Sequence, residues 1–348
     1  MPSCVLSSEE LRVPERYLDL DAVEQSALLR ALAPELGRVP DVLEKDIWVC
    51  WTLQQLFSMP GRLPMAFKGG TSLSKVFGVI ERFSEDIDIT LDYRGLSAGV
   101  DPFAEGMTGR QRRKLSDELK GFVKSHVTDV VQPWLARQLR QQLPGGGYAL
   151  ELSDDGEQLR LYYPSALTER DSYLRDSVLL EFGGRNIIEP NEMHVVRPDI
   201  AVGLAELLFP VAEVSVLSPA RTFWEKATLM HVECHRDSLR QSAERLSRHW
   251  YDLFMLARCD IGQQAVTQRD LLADVVKHKQ VFYAASYAHY EDCLTGKLRL
   301  IPDEATLIAL ADDYRRMVDA GMFIGQPPSF ADIVAELRAL ELTINRLA

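Results

Sequence analysis

Apolar residues recur with two different periods along this chain of 348 residues. Between residues 21 and 59 they follow helical spacing, and Pro40 and Asp41 interrupt the pattern where a second helix would be capped. From about residue 219 to the end the spacing is again helical. The stretch between contains short apolar runs bounded by glycine and polar residues, which is typical of strands. The sequence therefore predicts an α+β fold with helices at both ends.

Five short segments are predicted as strands because they are apolar or alternating and are bounded by turn residues. They are residues 65–67, 87–91, 148–152, 159–162 and 178–182. The helices predicted after the N-terminal pair are residues 71–80, 109–142, 219–234, 240–258 and 270–287, with two or three more to the end. The strand–turn–helix–strand order of residues 65–91 is expected to be the centre of the fold.

Composition is that of an ordinary globular protein, with 46% hydrophobic and 26% charged residues. The best candidate for a membrane span, 201–217, is interrupted by Glu206, Pro210 and Glu213, so no spanning helix and no membrane partner are expected. The N-terminus does not resemble a signal peptide, and the five cysteines lack paired spacing. We expect a cytoplasmic protein. The net charge of −12 argues against a general nucleic-acid coat but leaves room for a local basic surface.

The residues with the most chemical information lie between the first two predicted strands. Gly69 and Gly70 precede a predicted helix, where backbone amides approach a phosphate closely. Asp86 and Asp88 lie two apart in an apolar alternation, so a strand projects both carboxylates from one face. Paired carboxylates bind divalent cations. A plain turn and a solvated strand face are the alternatives, but the combination favours nucleotidyl transfer.

Two segments of the sequence resemble a known family. Residues 68–73 read Lys-Gly-Gly-Thr-Ser-Leu, and residues 82–88 read Arg-Phe-Ser-Glu-Asp-Ile-Asp. These motifs are similar to those of the AbiEii/AbiGii toxin family, which includes the MenT toxins and belongs to the DNA polymerase β-like nucleotidyltransferases. Further similarity lies at residues 44–48, 179–182, 225–227 and 248–253.

The resemblance implies a polymerase β-like nucleotidyltransferase core, a mixed sheet with helices, at residues 61–218. An N-terminal helical segment at 1–60 and a C-terminal helical domain at 219–348 would flank it. The implied activity is Mg²⁺-dependent transfer of a nucleoside monophosphate from an NTP to the 3′ end of an RNA. The expected target is the tRNA acceptor stem, with a block of translation as the result. Two Mg²⁺ ions and a cognate antitoxin protein are further expectations.

The family's site residues carry over to the matching positions. The implied metal ligands are Asp86, Asp88 and Glu181, and the implied catalytic residues are these three and Lys226, which would bind the triphosphate. Glu181 lies in an otherwise apolar strand, where a buried salt bridge is the alternative role. The implied nucleotide-binding residues are Lys68, Gly69, Gly70, Thr71, Ser72, Lys226 and Asp252. For Asp252, pairing with Lys226 and plain helix packing remain open.

Two further expectations concern regulation and RNA. Ser84 lies two residues before Asp86, at a place where some relatives are phosphorylated, and a phosphate there would repel the carboxylates and the incoming triphosphate. The candidate RNA-binding residues are Arg236, Arg240, Arg245 and Arg248. They lie in or just before the predicted helix that bears Asp252, and their spacings of four, five and three place most of them on one helical side. A solvated helix face is the alternative.

Three functions remain open from the sequence. The first is the RNA-directed transferase. The second keeps the chemistry but transfers to a hydroxyl of a protein or a small molecule. The third is a non-catalytic nucleotide-binding module, which the presence of all three carboxylates disfavours.

Overall fold

A computed structural model describes residues 15–97, 99–168, 176–202, 204, 206–236 and 245–348. Its helices are α1 Ala22–Leu36, α2 Pro40–Phe57, α3 Gly69–Lys75, α4 Tyr93–Leu96, α5 Gly109–His126, α6 Gln132–Gln142, α7 Pro219–Cys234, α8 Arg248–Ala257, α9 Asp260–Thr267, α10 Arg269–Phe282, α11 Glu304–Asp319 and α12 Phe330–Arg346. Its strands are β1 Glu15–Arg16, β2 Met65–Lys68, β3 Ile87–Asp92, β4 Ala149–Leu152, β5 Gln158–Tyr162, β6 Ser177–Asn186, β7 Asn191–Val196, β8 Leu207–Leu208 and β9 Ala212–Leu217. Within these ranges no helix is long and apolar enough to cross a membrane.

Seven strands form one mixed sheet in the order β4-β5-β6-β3-β2-β9-β7. β3 pairs with β6 and β2 pairs with β9 in parallel, whereas the other neighbours in this sheet are antiparallel. β1 and β8 form a separate parallel pair. The mixed sheet with its many helices confirms the predicted α+β class.

The five strands predicted from the sequence are β2 to β6, with ends that differ by one to four residues. β7 and β9 were not predicted. β9 lies in the apolar stretch 201–217, which was considered only as a membrane-spanning helix and rejected as one. β7 is an edge strand whose apolar residues Met193 and Val195 are 62% and 55% exposed, so its pattern does not mark a buried face.

The pairing register places four polar side chains in one row across the sheet. Lys68 on β2 is opposite Asp88 on β3, Asp88 is opposite Glu181 on β6, and Glu181 is opposite Gln158 on β5. Paired residues on neighbouring strands lie about 5 Å apart and point to the same face. The register therefore brings two predicted metal ligands and one predicted phosphate ligand side by side.

Two large hydrophobic clusters support this row. One joins the sheet to α2, α5 and α6 and includes Trp51, Phe67 and Leu180. The other lies among the C-terminal helices around Trp224 and includes Leu73 of α3. Helix α3 is thus anchored in the C-terminal cluster while its first residues continue from β2. The three-part division of the chain stays a prediction.

Three helices near the cleft differ from their predicted extent, whereas α7 spans the predicted residues. α10 ends at Phe282 instead of residue 287, because Tyr283 leaves the helical conformation with φ −129 and ψ 29. α3 ends at Lys75, since Gly78 beyond it has φ +60, which a right-handed helix excludes. α8 begins at Arg248 instead of residue 240, and Arg245 before it has φ 61. A left-handed arginine cannot lie inside the predicted helix.

Candidate active site

A cleft of about 630 Å³ lies over the row of strand residues. The sheet forms one side with Asp88 and Glu181, and a face of α7 that includes Lys226 and Leu229 forms another. The segment after α10, residues 283–290, lines the third side. The cleft therefore brings together predicted site residues that are distant in the sequence.

Three carboxylates, those of Asp86, Asp88 and Glu181, line this cleft. Burial raises the pKa of Asp88 to about 6, and the charges of Glu181 and Asp86 add to the rise. Burial also raises the pKa of Asp86, again with a contribution from neighbouring carboxylates. Gln158 Nε2 donates a hydrogen bond of 2.7 Å to Glu181 Oε1. The cluster is electrostatically unfavourable by itself, a condition that a bound cation relieves.

Gly69 and Gly70 lie where any side chain would collide with the cleft residues. Gly69 has φ +81, and an added Cβ would lie 2.0 Å from Asp88 Oδ2. A Cβ on Gly70 would lie 2.6 Å from Arg82 Nη2 and 2.7 Å from Ser84 Oγ. Both positions line the cleft. Glycine is therefore required here for packing as well as for access to the backbone.

The hydroxyl groups of Thr71 and Ser72 bind the protein itself. Both residues are buried, with 1% and 0% exposure. Thr71 Oγ1 donates to the backbone carbonyl of Asp86 over 2.5 Å, and Ser72 Oγ donates to the carbonyl of Gly69 over 2.9 Å. These bonds fix the start of α3 against the segment that enters β3. The two side chains are thus occupied, and the backbone of this turn is the part that faces the cleft.

Ser84 lies at the edge of the same turn. Its Oγ is 3.0 Å from Thr71 Oγ1, and it lines the cleft together with Asp86. A phosphate on Ser84 would stand beside the carboxylate cluster, and its regulatory phosphorylation stays a prediction.

Lys226 and Asp252 form a buried ion pair between α7 and α8. Lys226 Nζ donates to Asp252 Oδ2 over 2.8 Å, and Arg82 binds the same carboxylate through Nε at 2.7 Å and Nη2 at 2.8 Å. Asp252 is 0% exposed. Burial opposes its charge, but Arg82 and Lys226 hold the pKa of the carboxyl far below its usual value. Burial lowers the pKa of Lys226 despite the pairing. Among the roles left open for Asp252, partnership with Lys226 is the one observed.

Glu225, the residue before Lys226, binds a second group of cations in the cleft. Lys68 Nζ lies 3.3 Å from Glu225 Oε2, and Asn186 Nδ2 donates to Oε1 over 2.6 Å. Lys279 Nζ donates to the Glu225 backbone carbonyl over 2.8 Å. Burial opposes the charge of Glu225, but Lys68 and Arg221 outweigh it and lower its pKa to about 2. Burial lowers the pKa of Lys279 to about 8.

The candidate RNA-binding arginines do not share one helix. Arg236 follows α7, Arg245 precedes α8, and Arg248 is the first residue of α8. Arg240 lies outside the described residues. Of the three described arginines only Arg248 lies in a helix, and Arg245 before it has a left-handed backbone, so the prediction of one helical side is wrong for these three. Arg236 and Arg248 line the cleft, whereas Arg245 pairs with Glu85 at 3.8 Å.

Several cleft side chains were given no role from the sequence. They are Arg82, Arg185, Asn186, Arg221, Glu225, Lys279, Tyr283 and Tyr287. Arg82 and Glu225 lie inside the motifs that carry the family resemblance, and their place in these motifs could have indicated a role in the site. The other six reach the cleft only through long-range packing, which no local pattern indicates.

The carboxylates fit a divalent cation, although they are not preassembled around one. No group of three His, Cys, Asp or Glu side chains in the described part of the chain is arranged as a metal site. Two observations favour the fit: Asp86, Asp88 and Glu181 share one cleft, and the pKa values of both aspartates are raised by burial and by neighbouring carboxylates. Their oxygen-only donor set suits Mg²⁺.

A glycine turn, carboxylates in register on adjacent strands and a cluster of cations in the same cleft define a site of the nucleotidyltransferase class. The sequence matches the family described as "Nucleotidyl transferase AbiEii toxin, Type IV TA system" over residues 51–336, and the chain belongs to this family. The resemblance found in the motifs is thereby confirmed. The protein is a nucleotidyltransferase toxin of a toxin–antitoxin system, with an NTP as substrate and an antitoxin as partner.

Among solved structures the chain is similar to MenT4, nucleotidyltransferase toxin Rv2826c from Mycobacterium tuberculosis H37Rv. The identity is 19% and the TM-score 0.48, with 94% of this chain and 90% of that chain covered. No curated protein matches the sequence.

Proposed function

We propose that this enzyme transfers a nucleoside monophosphate from an NTP to the 3′ end of an RNA, at the acceptor stem of a tRNA, and so blocks translation. The observation that carries the proposal is the composition of the cleft. Carboxylates lie on its sheet side, and cations that include Lys226 and Arg248 line it as well. A triphosphate requires cations, and an attacking hydroxyl requires a nearby carboxylate, so one cleft supplies both.

The donor phosphates are assigned to the glycine turn and the cations beside it. The backbone of Gly69 and Gly70 approaches the phosphates, and the Lys226 ammonium provides a point charge. Asp252 accepts a hydrogen bond from Lys226, and Arg82 donates to Asp252. These two residues therefore hold the Lys226 ammonium in place and are positioning residues. Arg248 is close enough to Asp86 and Asp88 to influence their pKa values, so it is assigned to the leaving pyrophosphate.

In this proposal Asp86, Asp88 and Glu181 would hold two Mg²⁺ ions. Bound Mg²⁺ would polarise the α-phosphate and favour the deprotonated acceptor hydroxyl. Glu181 Oε1 accepts from Gln158, which leaves Oε2 to accept the hydroxyl proton. The acceptor oxygen then bonds to the α-phosphorus while the bond to pyrophosphate breaks, and Lys226 and Arg248 bind the departing group.

An RNA acceptor must approach this acidic protein where local cations outweigh the net charge of −12. Arg185 and Arg236 line the cleft and supply such cations. Both arginines lie over tyrosine rings. Such pairs can stack on nucleobases, so they suit an RNA acceptor better than a small polar one.

The proposal is tested by incubating the purified protein and Mg²⁺ with each labelled NTP and total RNA. Label should enter tRNA with an intact 3′ end and not tRNA whose terminal ribose has been oxidised by periodate. Label on a protein or a small molecule alone would support the second function. Nucleotide binding without any labelled product would support the non-catalytic module. The Asp86→Asn/Asp88→Asn double variant is the negative control.

A further inference from the structure

A segment rich in small residues connects two tyrosines beside the cleft. Residues 283–287 read Tyr-Ala-Ala-Ser-Tyr, and both tyrosines line the cleft. The guanidinium carbon of Arg185 lies 5.0 Å from the centre of the Tyr283 ring, and that of Arg236 lies 4.7 Å from the centre of the Tyr287 ring. Tyr283 is 46% exposed. Planar cations on aromatic rings are surfaces on which nucleobases stack.

We propose that the Arg185–Tyr283 stack is the platform on which the terminal base of the acceptor RNA rests during transfer. The inference rests on the proposed function and names the residues that position its acceptor.

The position of Arg185 assigns the stack to the acceptor. Arg185 is four residues after Glu181 on β6, and both side chains line the cleft, although the register of β6 against β3 shifts between Gly183 and Asn186. At about 3.3 Å per residue, the backbone of Arg185 lies at most about 13 Å along the strand from the carboxylate that faces the acceptor hydroxyl. That separation leaves room for one nucleotide between its hydroxyl and its base.

The surface between the two residues is open. Gly183 lies between Glu181 and Arg185 on the same face, and a Cβ added to it would meet no atom within 4 Å. A ribose would therefore meet no side chain at Gly183, between the carboxylate and the stack.

The platform is held in place by the fold. Tyr283 N–H donates to the Lys279 carbonyl over 2.9 Å at the end of α10, and Tyr290 Oη donates to the Tyr283 carbonyl over 3.3 Å. Arg185 Nη2 lies 3.5 Å from Glu157 Oε1, and its side chain is 19% exposed. Because the Tyr283 backbone and the Arg185 side chain are held in this way, a base that binds orders few groups, and stacking adds to RNA affinity.

The experiment replaces the ring while keeping bulk. Tyr283→Leu should raise the KM for tRNA about tenfold, the scale of losing one base–aromatic stack. Tyr283→Phe should behave as wild type. The KM for the NTP and the salt dependence of RNA binding should not change, because no charge is lost. Arg258→Ala removes a matched arginine–aromatic stack, over Phe254 at 5.1 Å, that does not line the cleft, and should have no effect on either KM.

A second readout reports stacking directly. An acceptor-stem RNA with 2-aminopurine as its last base should lose fluorescence on binding wild type and Tyr283→Phe, and lose less on binding Tyr283→Leu. The same probe at an internal position should not distinguish the variants. A wild type that labels no RNA rejects the proposed function and the platform with it. An active wild type with unchanged KM and quenching in Tyr283→Leu rejects the platform alone, and a raised KM for the NTP alone assigns the ring to the donor.

Discussion

The carboxylate of Asp88 occupies the space that a Cβ atom on Gly69 would need, since that atom would lie 2.0 Å from Asp88 Oδ2. Lys68, the residue before Gly69, is the strand partner of Asp88. The glycine turn and the Asp-x-Asp strand are therefore one packed unit, in which the first glycine sets the place of the second aspartate.

Gly69→Ala should reduce transfer about 100-fold, the scale of misplacing a group that stabilises the transition state. Alanine at φ +81 is strained, and its Cβ must also displace Asp88. Gly78→Ala is the matched control, because Gly78 has φ +60 and nothing within 4 Å of an added Cβ. It should lose only the about 1–2 kcal/mol of left-handed strain and keep its activity. Urea unfolding and transfer rates measure both, and equal activity of the two variants would refute the packed unit.

Asp88→Asn should reduce the rate of transfer by more than about 100-fold. The same substitution should stabilise the metal-free protein at neutral pH. The pKa of Asp88 is raised to about 6 in the fold, above its ordinary value near 3.9, so the folded state favours the protonated form. The loss of unfolding free energy caused by the Asp88 charge is therefore absent below about pH 4, grows between about pH 4 and 6, and reaches its full size above about pH 6.

The gain in unfolding free energy should be about 1–3 kcal/mol at pH 7.5 and should vanish at pH 4. Urea titrations in the presence of a chelator measure it. Added Mg²⁺ should stabilise the wild type more than the variant. If the asparagine variant is less stable than wild type at pH 7.5, the buried charge of Asp88 does not destabilise the fold.

How much of this site follows from the sequence depends on how local each feature is. Asp86 and Asp88 could be placed because they are two apart in an extended segment, with Asp86 just before β3 and Asp88 in it, and alternation then puts both on one face. Glu181 was suggested by a charge in an apolar strand, but its register with Asp88 required the pairing of β3 with β6. Arg82 meets Asp252 across 170 positions, and such a contact follows from the packing of α8, which no local pattern encodes.

Lys226→Ala should weaken NTP binding at least tenfold with a small loss of stability, whereas Asp252→Ala should destabilise strongly. Without Lys226, Asp252 keeps its two hydrogen bonds from Arg82. Without Asp252, two buried cations lose their shared partner, a change that costs about 3–5 kcal/mol. Nucleotide titrations and thermal unfolding separate the two effects. Severe melting of Lys226→Ala, with full activity in the folded remainder, would make this lysine structural.

Arg236→Ala should raise the KM for RNA and lower the slope of log affinity against log salt by about one, the value for one phosphate contact. Arg236 lies two residues after the end of α7, lines the cleft, and pairs with Glu233 at 3.0 Å, so its side chain is held at the cleft. The KM for the NTP should hardly change, because the donor phosphates are assigned to Lys226. Arg113→Ala is the control: this arginine is exposed on α5 and does not line the cleft. An equal effect of both variants would show a diffuse response to net charge, and no effect of Arg236→Ala on RNA would remove this residue from the acceptor path.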